Sequence, residues 1–339
     1  MSIDQTYKPG LEGVIACETQ ISFLDVEQEE IVIRGYDLIE LAKKVTYLEL
    51  VHLILHGRLP KEDELGALRQ DLSREAQIPE AIFQMMKLFP PSTDCMDGLR
   101  TCISALAAYD PELDDRSVEA NQRKTIRLLA KLPIIVANLY HAKRGQEWIL
   151  PRSDLSYSAN FLYMITGQVP TSLEERIYDQ LLMSYSEHEM PNSTFAARVI
   201  ASTTSDLYGA LTGAVASLKG RLHGGANEAV MEMLLEAETG EGLENLILAK
   251  LKNKERSMGF GHRVYMKKMD PRAQLMKEAL DELTREKGNR QLYEMCLRGE
   301  ELMRREKGLY PNLDYYAAPV YYLPCIPIEL YTPLFLAAR

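Results

Sequence analysis

From Leu38 to the last residues, apolar side chains recur at three- and four-residue spacing almost without a break, and a chain patterned this way folds as packed helices. Leu48, Val51, His52, Ile54 and Leu55 mark one face of a short helix ending at Gly57, and Leu65, Leu68 and Leu72 mark the next. Ser172-Leu173-Glu174-Glu175 reads as a capping box opening an amphipathic helix that runs toward His188. Further helices are expected over roughly 94–109, 117–143, 195–219, 228–238, 243–254, 271–287 and 290–307. Pro271 suits a first turn, with Asp270 before it as the cap. Only residues 12–34 alternate instead: Val14, Ala16, Ile21 and Phe23 precede Glu27–Glu30, and Ile31, Val32 and Ile33 follow, as in a small hairpin or two. The expected fold class is mostly α with a small N-terminal β hairpin.

Two of the helices are rich in small residues, around Ala196-Ala197, Ala201-Ser202, Gly209-Ala210, Gly213-Ala214 and Ala216-Ser217, and again at Ser104-Ala105 and Ala107-Ala108. Such stretches let backbones approach closely. They suit a subunit interface and a buried central helix equally. With 339 residues, 46% of them hydrophobic, the chain can bury a large core and exceeds the usual size of one compact domain, so two are expected. A net charge of −10 argues against nucleic acid or an anionic membrane as the main partner. No apolar run reaches the roughly 18 residues of a membrane span, and Met1-Ser2-Ile3-Asp4-Gln5 lacks a secretory pattern. Cys17, Cys95, Cys102, Cys296 and Cys325 are odd in number and form no CxxC, and read as reduced core thiols of a cytoplasmic protein.

The chemistry concentrates in three histidines with small or glycine neighbours: Ser186-Glu187-His188-Glu189-Met190-Pro191-Asn192, Leu222-His223-Gly224-Gly225-Ala226-Asn227 and Gly259-Phe260-Gly261-His262-Arg263. Glycine beside an imidazole lets the backbone close on a ligand. His52, His56 and His141 read as satisfied core or surface residues, as lone histidines usually are. An HExxH zinc motif fails at His188 because residue 192 is asparagine, no other spacing resembles a metal site, and no GxSxG elbow is present. What remains is proton transfer and oxyanion stabilisation by imidazoles, with a carboxylate as base. Asp314 is the candidate base. It lies in Tyr310-Pro311-Asn312-Leu313-Asp314-Tyr315-Tyr316, a loop running into an aromatic segment, where poor solvation strengthens a carboxylate as a base; a plain helix cap is the structural alternative.

Lys250, Lys252, Lys254, Arg256, Arg263, Lys267 and Lys268 stand against Glu255 alone and surround Ser257-Met258-Gly259-Phe260-Gly261. Cations beside a glycine-containing loop are what a phosphate-bearing ligand needs, although a solvated helix end carries charges in the same way. The stretch is neither a Walker loop nor a dinucleotide fingerprint.

Leu222-His223-Gly224-Gly225-Ala226-Asn227-Glu228, Gly259–Tyr265, Asp270-Pro271-Arg272-Ala273 and Tyr310–Tyr316 together resemble the citrate synthase superfamily, in its short bacterial form and most like its 2-methylcitrate synthase branch. The likeness runs from about Gly10 to the end. It implies an almost all-helical homodimer, with a large domain over 1–222, a smaller mobile domain over 223–323 and a return to the large domain over 324–339. It implies a Claisen-type condensation of acetyl-CoA or propionyl-CoA with oxaloacetate, then thioester hydrolysis, with no metal and no cofactor. Carried over by position, Asp314 would remove the α-proton, His223 would hold the thioester oxygen and His262 would polarise the ketone and protonate the alkoxide. His188, Arg272 and Arg339 would bind oxaloacetate, and Arg256, Ser257, Met258, Gly259 and Phe260 would take CoA. Two carboxylates on the substrate suit arginines, and closure after oxaloacetate binds would exclude water, so ordered binding is expected.

Members of the family continue beyond the arginine matching Arg339 into a helix and an arm that carries a further arginine to the neighbouring subunit. The sequence stops inside an apolar helix pattern, Leu334–Ala338, so a tail outside the given sequence is expected. Leu323-Pro324-Cys325 departs from a Leu-Gly pair more common in the family. One methylene separates the two acyl groups, worth about 1–3 kcal/mol, so dual activity is expected, with whole-chain likeness leaning to propionyl-CoA. A non-catalytic, CoA-ester-binding regulatory paralogue is the competing class, against which the intact His223, His262 and Asp314 speak. A CoA-dependent lyase would use the same pocket but want a nucleotide-driven step, for which no motif is present.

Overall fold

The computed structural model describes residues 8, 14–25, 27–28, 30–220, 223–262, 264–265 and 268–339. Leu222 at the expected domain boundary, Arg263 and Lys267 of the basic stretch, Gly10 and Glu29 lie outside the described residues. Strands β1 (Ser22–Asp25), β2 (Glu30–Ile33) and β3 (Tyr36–Asp37) form an antiparallel meander, pairing Phe23 with Val32 and Val32 with Asp37. Ile31 and Ile33 point into the core while Phe23 stays exposed, so one face of this small sheet is buried.

Sixteen α-helices follow among the described residues. They are α1 (Leu38–Lys44), α2 (Tyr47–His56), α3 (Glu62–Glu75), α4 (Glu80–Leu88), α5 (Cys95–Leu106), α6 (Val118–Lys143), α7 (Tyr157–Thr166) and α8 (Ser172–Ser186). After these come α9 (Asn192–Ala201), α10 (Leu207–Leu218), α11 (Ala226–Ala237), α12 (Gly240–Lys252), α13 (Pro271–Glu286), α14 (Gln291–Lys307), α15 (Leu313–Tyr322) and α16 (Tyr331–Ala338). No helix among them is long and apolar enough to cross a membrane. The mostly helical expectation and the N-terminal hairpin are borne out.

Two boundaries differ from the sequence reading. The capping box opening α8 uses Thr171 and Glu174, one residue earlier than Ser172 and Glu175: Glu174 N–H donates to Thr171 Oγ1 at 3.2 Å and Thr171 N–H to Glu174 Oε2 at 2.9 Å. The helix expected over 195–219 is broken in two. Ser202 and Thr203 turn their hydroxyls back onto carbonyls of α9, Thr204 takes φ 64°, and Asp206 caps α10 by accepting Gly209 N–H at 2.8 Å. The two helices then fold back so tightly that a Cβ on Gly213 would lie 2.0 Å from Ile200. Their small residues therefore serve a crossing within the subunit.

The core is continuous from Leu24 to Ala338. At its centre lie α16, buried along its whole length, and the last turns of α8 and nearly all of α15. A helix buried on all sides needs to be apolar nearly all round, as α16 is but for Thr332. Pro133 interrupts the ladder of α6, and the carbonyl it leaves, Leu129 O, accepts instead from Tyr157 Oη at 3.1 Å. All five cysteines are free; Cys95, Cys102 and Cys296 are buried, but Cys17 is half-buried and Cys325 exposed, so the core reading fails for Cys325 and holds only in part for Cys17. Cys325 also takes φ 64°, a conformation natural to glycine.

Candidate active site

His188, His223, His262, Arg272, Asp314 and Arg339 line one cleft of about 220 Å³, together with Tyr185, Asp270, Asn312 and Phe335. Six residues spread over more than 150 positions thus converge. A larger cavity of about 690 Å³ lies elsewhere, between α3, α6 and α7, walled by Leu48, Leu72, Phe83, Ile134 and Tyr157; none of the six residues reaches it. Among the described residues no group of three or more His, Cys, Asp or Glu side chains could hold a metal ion.

Asp314 and His262 share a scaffold. The loop before α15 pairs with the loop carrying His262: Phe260 bridges Pro311, Asn312 N–H donates to Gly259 O at 2.9 Å and Gly261 N–H to Tyr310 O at 2.8 Å. Gly259, at φ 85°, has no room for a Cβ, which would lie 2.7 Å from Val230 and 3.0 Å from Tyr315. Asn312 then caps α15 by accepting Asp314 N–H at 3.1 Å, while its amide donates to Gly261 O at 3.1 Å. Asp314 is therefore not in a loop, as expected from sequence, but in the first turn of α15, where the helix dipole favours its charge. Burial pushes the carboxyl up; the Tyr185 hydroxyl, donating at 2.8 Å, and the Arg272 and Arg339 cations hold it down. Burial outweighs them, and the carboxyl lies above its ordinary range, a stronger base than a solvated one.

His223 sits on a turn set by Gly224, whose Cβ would meet Leu218 O at 2.4 Å. Thr332 of α16 anchors that turn by donating to Gly224 O at 3.2 Å. The Ser193 backbone N–H points at His223 Nε2 (3.2 Å) and Val264 N–H at His262 Nδ1 (3.1 Å). A backbone N–H can only donate, so each contacted nitrogen is an acceptor and the proton sits on the other: Nδ1 in His223, Nε2 in His262. The two rings are opposite tautomers. Burial and Arg339 lower His223 to about 4, and burial also lowers His262, so both are neutral donors near pH 7. His188 packs edge-on against His262, centroids 5.1 Å apart, and bonds Tyr265 Oη at 3.1 Å; burial, then Arg272, keeps it neutral too.

The two arginines differ. Arg272 is gripped by Asp270 through Nε at 3.1 Å and Nη2 at 2.7 Å. Arg339 lies over the Phe335 ring, 4.4 Å from its centroid, and its Nε has no hydrogen-bond partner among the described residues. Burial lowers its guanidinium to about 9, the sign of a cation in want of an anion.

Arg256, Ser257, Met258, Gly259 and Phe260 do not line the cleft. Arg256 is exposed, Ser257 and Gly259 are buried, and Phe260 packs on Tyr315 at 4.4 Å, so this loop flanks the cleft with its cation outward. Tyr185, Ser193, Tyr265 and Glu187 escaped the sequence reading, and Asp270 was read only as a cap. Tyr185, Glu187 and Ser193 lie within five residues of His188, and Tyr265 three residues after His262.

The profile of the citrate synthase C-terminal domain family matches residues 10–339. A citrate/2-methylcitrate synthase of Bacillus subtilis (strain 168) is 61% identical over 339 residues, covering 100% of this chain and 91% of the relative. A citrate synthase of Heyndrickxia coagulans is 60% identical, covering 98% and 89%. Among solved structures, the ternary complex of carboxymethyl coenzyme A and oxaloacetate with citrate synthase from Thermoplasma acidophilum superposes with a TM-score of 0.91 at 30% identity, covering 98% of this chain and 88% of that one. On this sequence match and this fold, the chain belongs to the citrate synthase family.

Proposed function

We propose that the protein condenses an acyl-CoA with oxaloacetate and hydrolyses the thioester formed, giving citrate from acetyl-CoA, 2-methylcitrate from propionyl-CoA, and free CoA. One observation carries the reading: a desolvated carboxyl and two neutral imidazoles of opposite tautomer share a cleft with an arginine whose buried Nε has no partner among the described residues. Arg339, Arg272 and His188 receive the two carboxylates of oxaloacetate and turn its ketone carbon toward the acyl group. Asp314 takes the α-proton of the thioester. His223 donates from Nδ1 to the thioester oxygen as charge develops there. The enolic carbon attacks the ketone, and His262 delivers its Nε2 proton to the new alkoxide, balancing the one Asp314 removed. Water then cleaves the thioester, releasing the CoA thiol.

The exposed Arg256 and the neighbouring Lys252 and Lys254 suit the phosphates of CoA. Residues 223–323 act as a mobile small domain on the large one formed by 1–222 and 324–339; α12 and α14 pack chiefly on each other and on α11 and α13, which supports this. Two copies pair as a homodimer, with the outer face of α9, where Val199 is half-exposed, available for contact. The reaction belongs to the tricarboxylic acid cycle and propionate metabolism, in the cytoplasm, and needs no cofactor.

The test is thiol release from acetyl-CoA and propionyl-CoA with and without oxaloacetate. Oxaloacetate-dependent release, with kcat/KM higher for propionyl-CoA and lowered about 10²–10⁴-fold in Asp314→Ala, is expected. Full activity in that variant removes Asp314 from the mechanism, and a large acetyl preference reverses the ranking of substrates.

A further inference from the structure

The loop carrying His188 holds unfavourable backbone. Glu189 and Met190 both lie in the left-handed region, at φ 50° and 52°, where side chains other than glycine need outside support. Glu187, only 6% exposed, supplies it. A single oxygen, Oε1, accepts from Met190 N–H at 2.7 Å, from His188 N–H at 3.0 Å and from the Ser22 hydroxyl at 3.1 Å. Ser22 belongs to β1, and the segment before it is tied to the same loop where Cys17 Sγ meets Met190 Sδ at 3.0 Å, and to α9 where Arg198 donates to Glu18 O at 3.0 Å.

We propose that Glu187 is a positioning residue: it pins the strained turn so that His188 faces the cleft, and uses Ser22 of the N-terminal hairpin as a third support. This rests on the reading that His188 and Arg339 receive the carboxylates of oxaloacetate. The hairpin is then part of the substrate site at one remove, and its buried contact with Glu187 explains why a three-stranded sheet stands beside a helical core.

The experiment uses the full chain with Glu187→Ala, Glu187→Gln and Ser22→Ala. It reads steady-state kinetics for both substrates, calorimetric binding of oxaloacetate, thermal midpoints, and amide exchange over 186–190. In Glu187→Ala, KM for oxaloacetate rises about 10- to 100-fold, while KM for the acyl-CoA at saturating oxaloacetate is unchanged. Glu187→Gln, which keeps an acceptor oxygen, recovers most of the loss. Ser22→Ala, which disturbs folding least, shifts the same KM by about threefold. Amide exchange at His188 and Met190 speeds up in the order Ser22→Ala, Glu187→Gln, Glu187→Ala. An unchanged KM for oxaloacetate in Glu187→Ala or Ser22→Ala overturns the inference alone. So does a fall in kcat and both KM values in step with the thermal midpoint. An inert wild-type chain overturns the proposed function and this inference with it.

Discussion

At the scale of residues, the site works by environment more than by identity. Tyr185 donates to the carboxylate form of Asp314, and loss of that donor raises the carboxyl pKa. Tyr185→Phe therefore moves the acidic limb of the kcat/KM profile to higher pH, by about one unit, because the base must lose its proton to act. The pH–rate profile of the variant checks this. The opposite tautomers make a sharper case. An asparagine amide superposes on Nδ1 of a histidine and a glutamine amide on Nε2. His223→Asn keeps a donor where His223→Gln does not, and the order reverses at His262, with differences of about tenfold or more in kcat. Four purified variants and one assay decide it. The glycine-flanked histidines were legible in the sequence because tight turns demand glycine, as Gly224 and Gly259 do here. Tyr185 was not, being one of 18 tyrosines and marked only by a partner 129 positions away.

At the scale of elements, Asn312 links three things: the cap of α15, the base in its first turn and the loop before His262. Asn312→Ala costs about 1 kcal/mol of stability, as a lost cap does, yet lowers kcat by well over the factor of about five that such energy represents. Thermal unfolding set beside turnover tests whether the two losses part in this way. The helices with one polar face, such as α3 and α13, were readable from spacing. Helices α7 and α15 are not legible from spacing, because burial on nearly every side erases the amphipathic signal. The break between α9 and α10 was hidden for a different reason. Helix-compatible alanines continue up to it, and hydroxyl side chains end the helix by bonding its carbonyls.

At the scale of the whole molecule, Asp179 joins three helices, accepting from Tyr47 N–H of α2 at 2.8 Å and Ser158 Oγ of α7 at 2.7 Å while standing on α8. Burial raises it to about 6. The fold thus favours its protonated form, so the stability this group contributes is full below about pH 4 and is lost as pH rises through about 6. Asp179→Asn keeps both accepted bonds without the charge. It stabilises the protein by about 1–2 kcal/mol at pH 8 and hardly at all at pH 4, as melting curves at the two values will reveal. The paired loops that carry His262 and Asp314 have a consequence for motion on this scale. Under the proposed domain motion, Asp314 and His262 ride on one ribbon, so opening or shutting would carry them as passengers side by side, and their mutual aim would survive. Such a motion would meter the traffic of substrate and solvent, leaving the alignment of the pair to the ribbon.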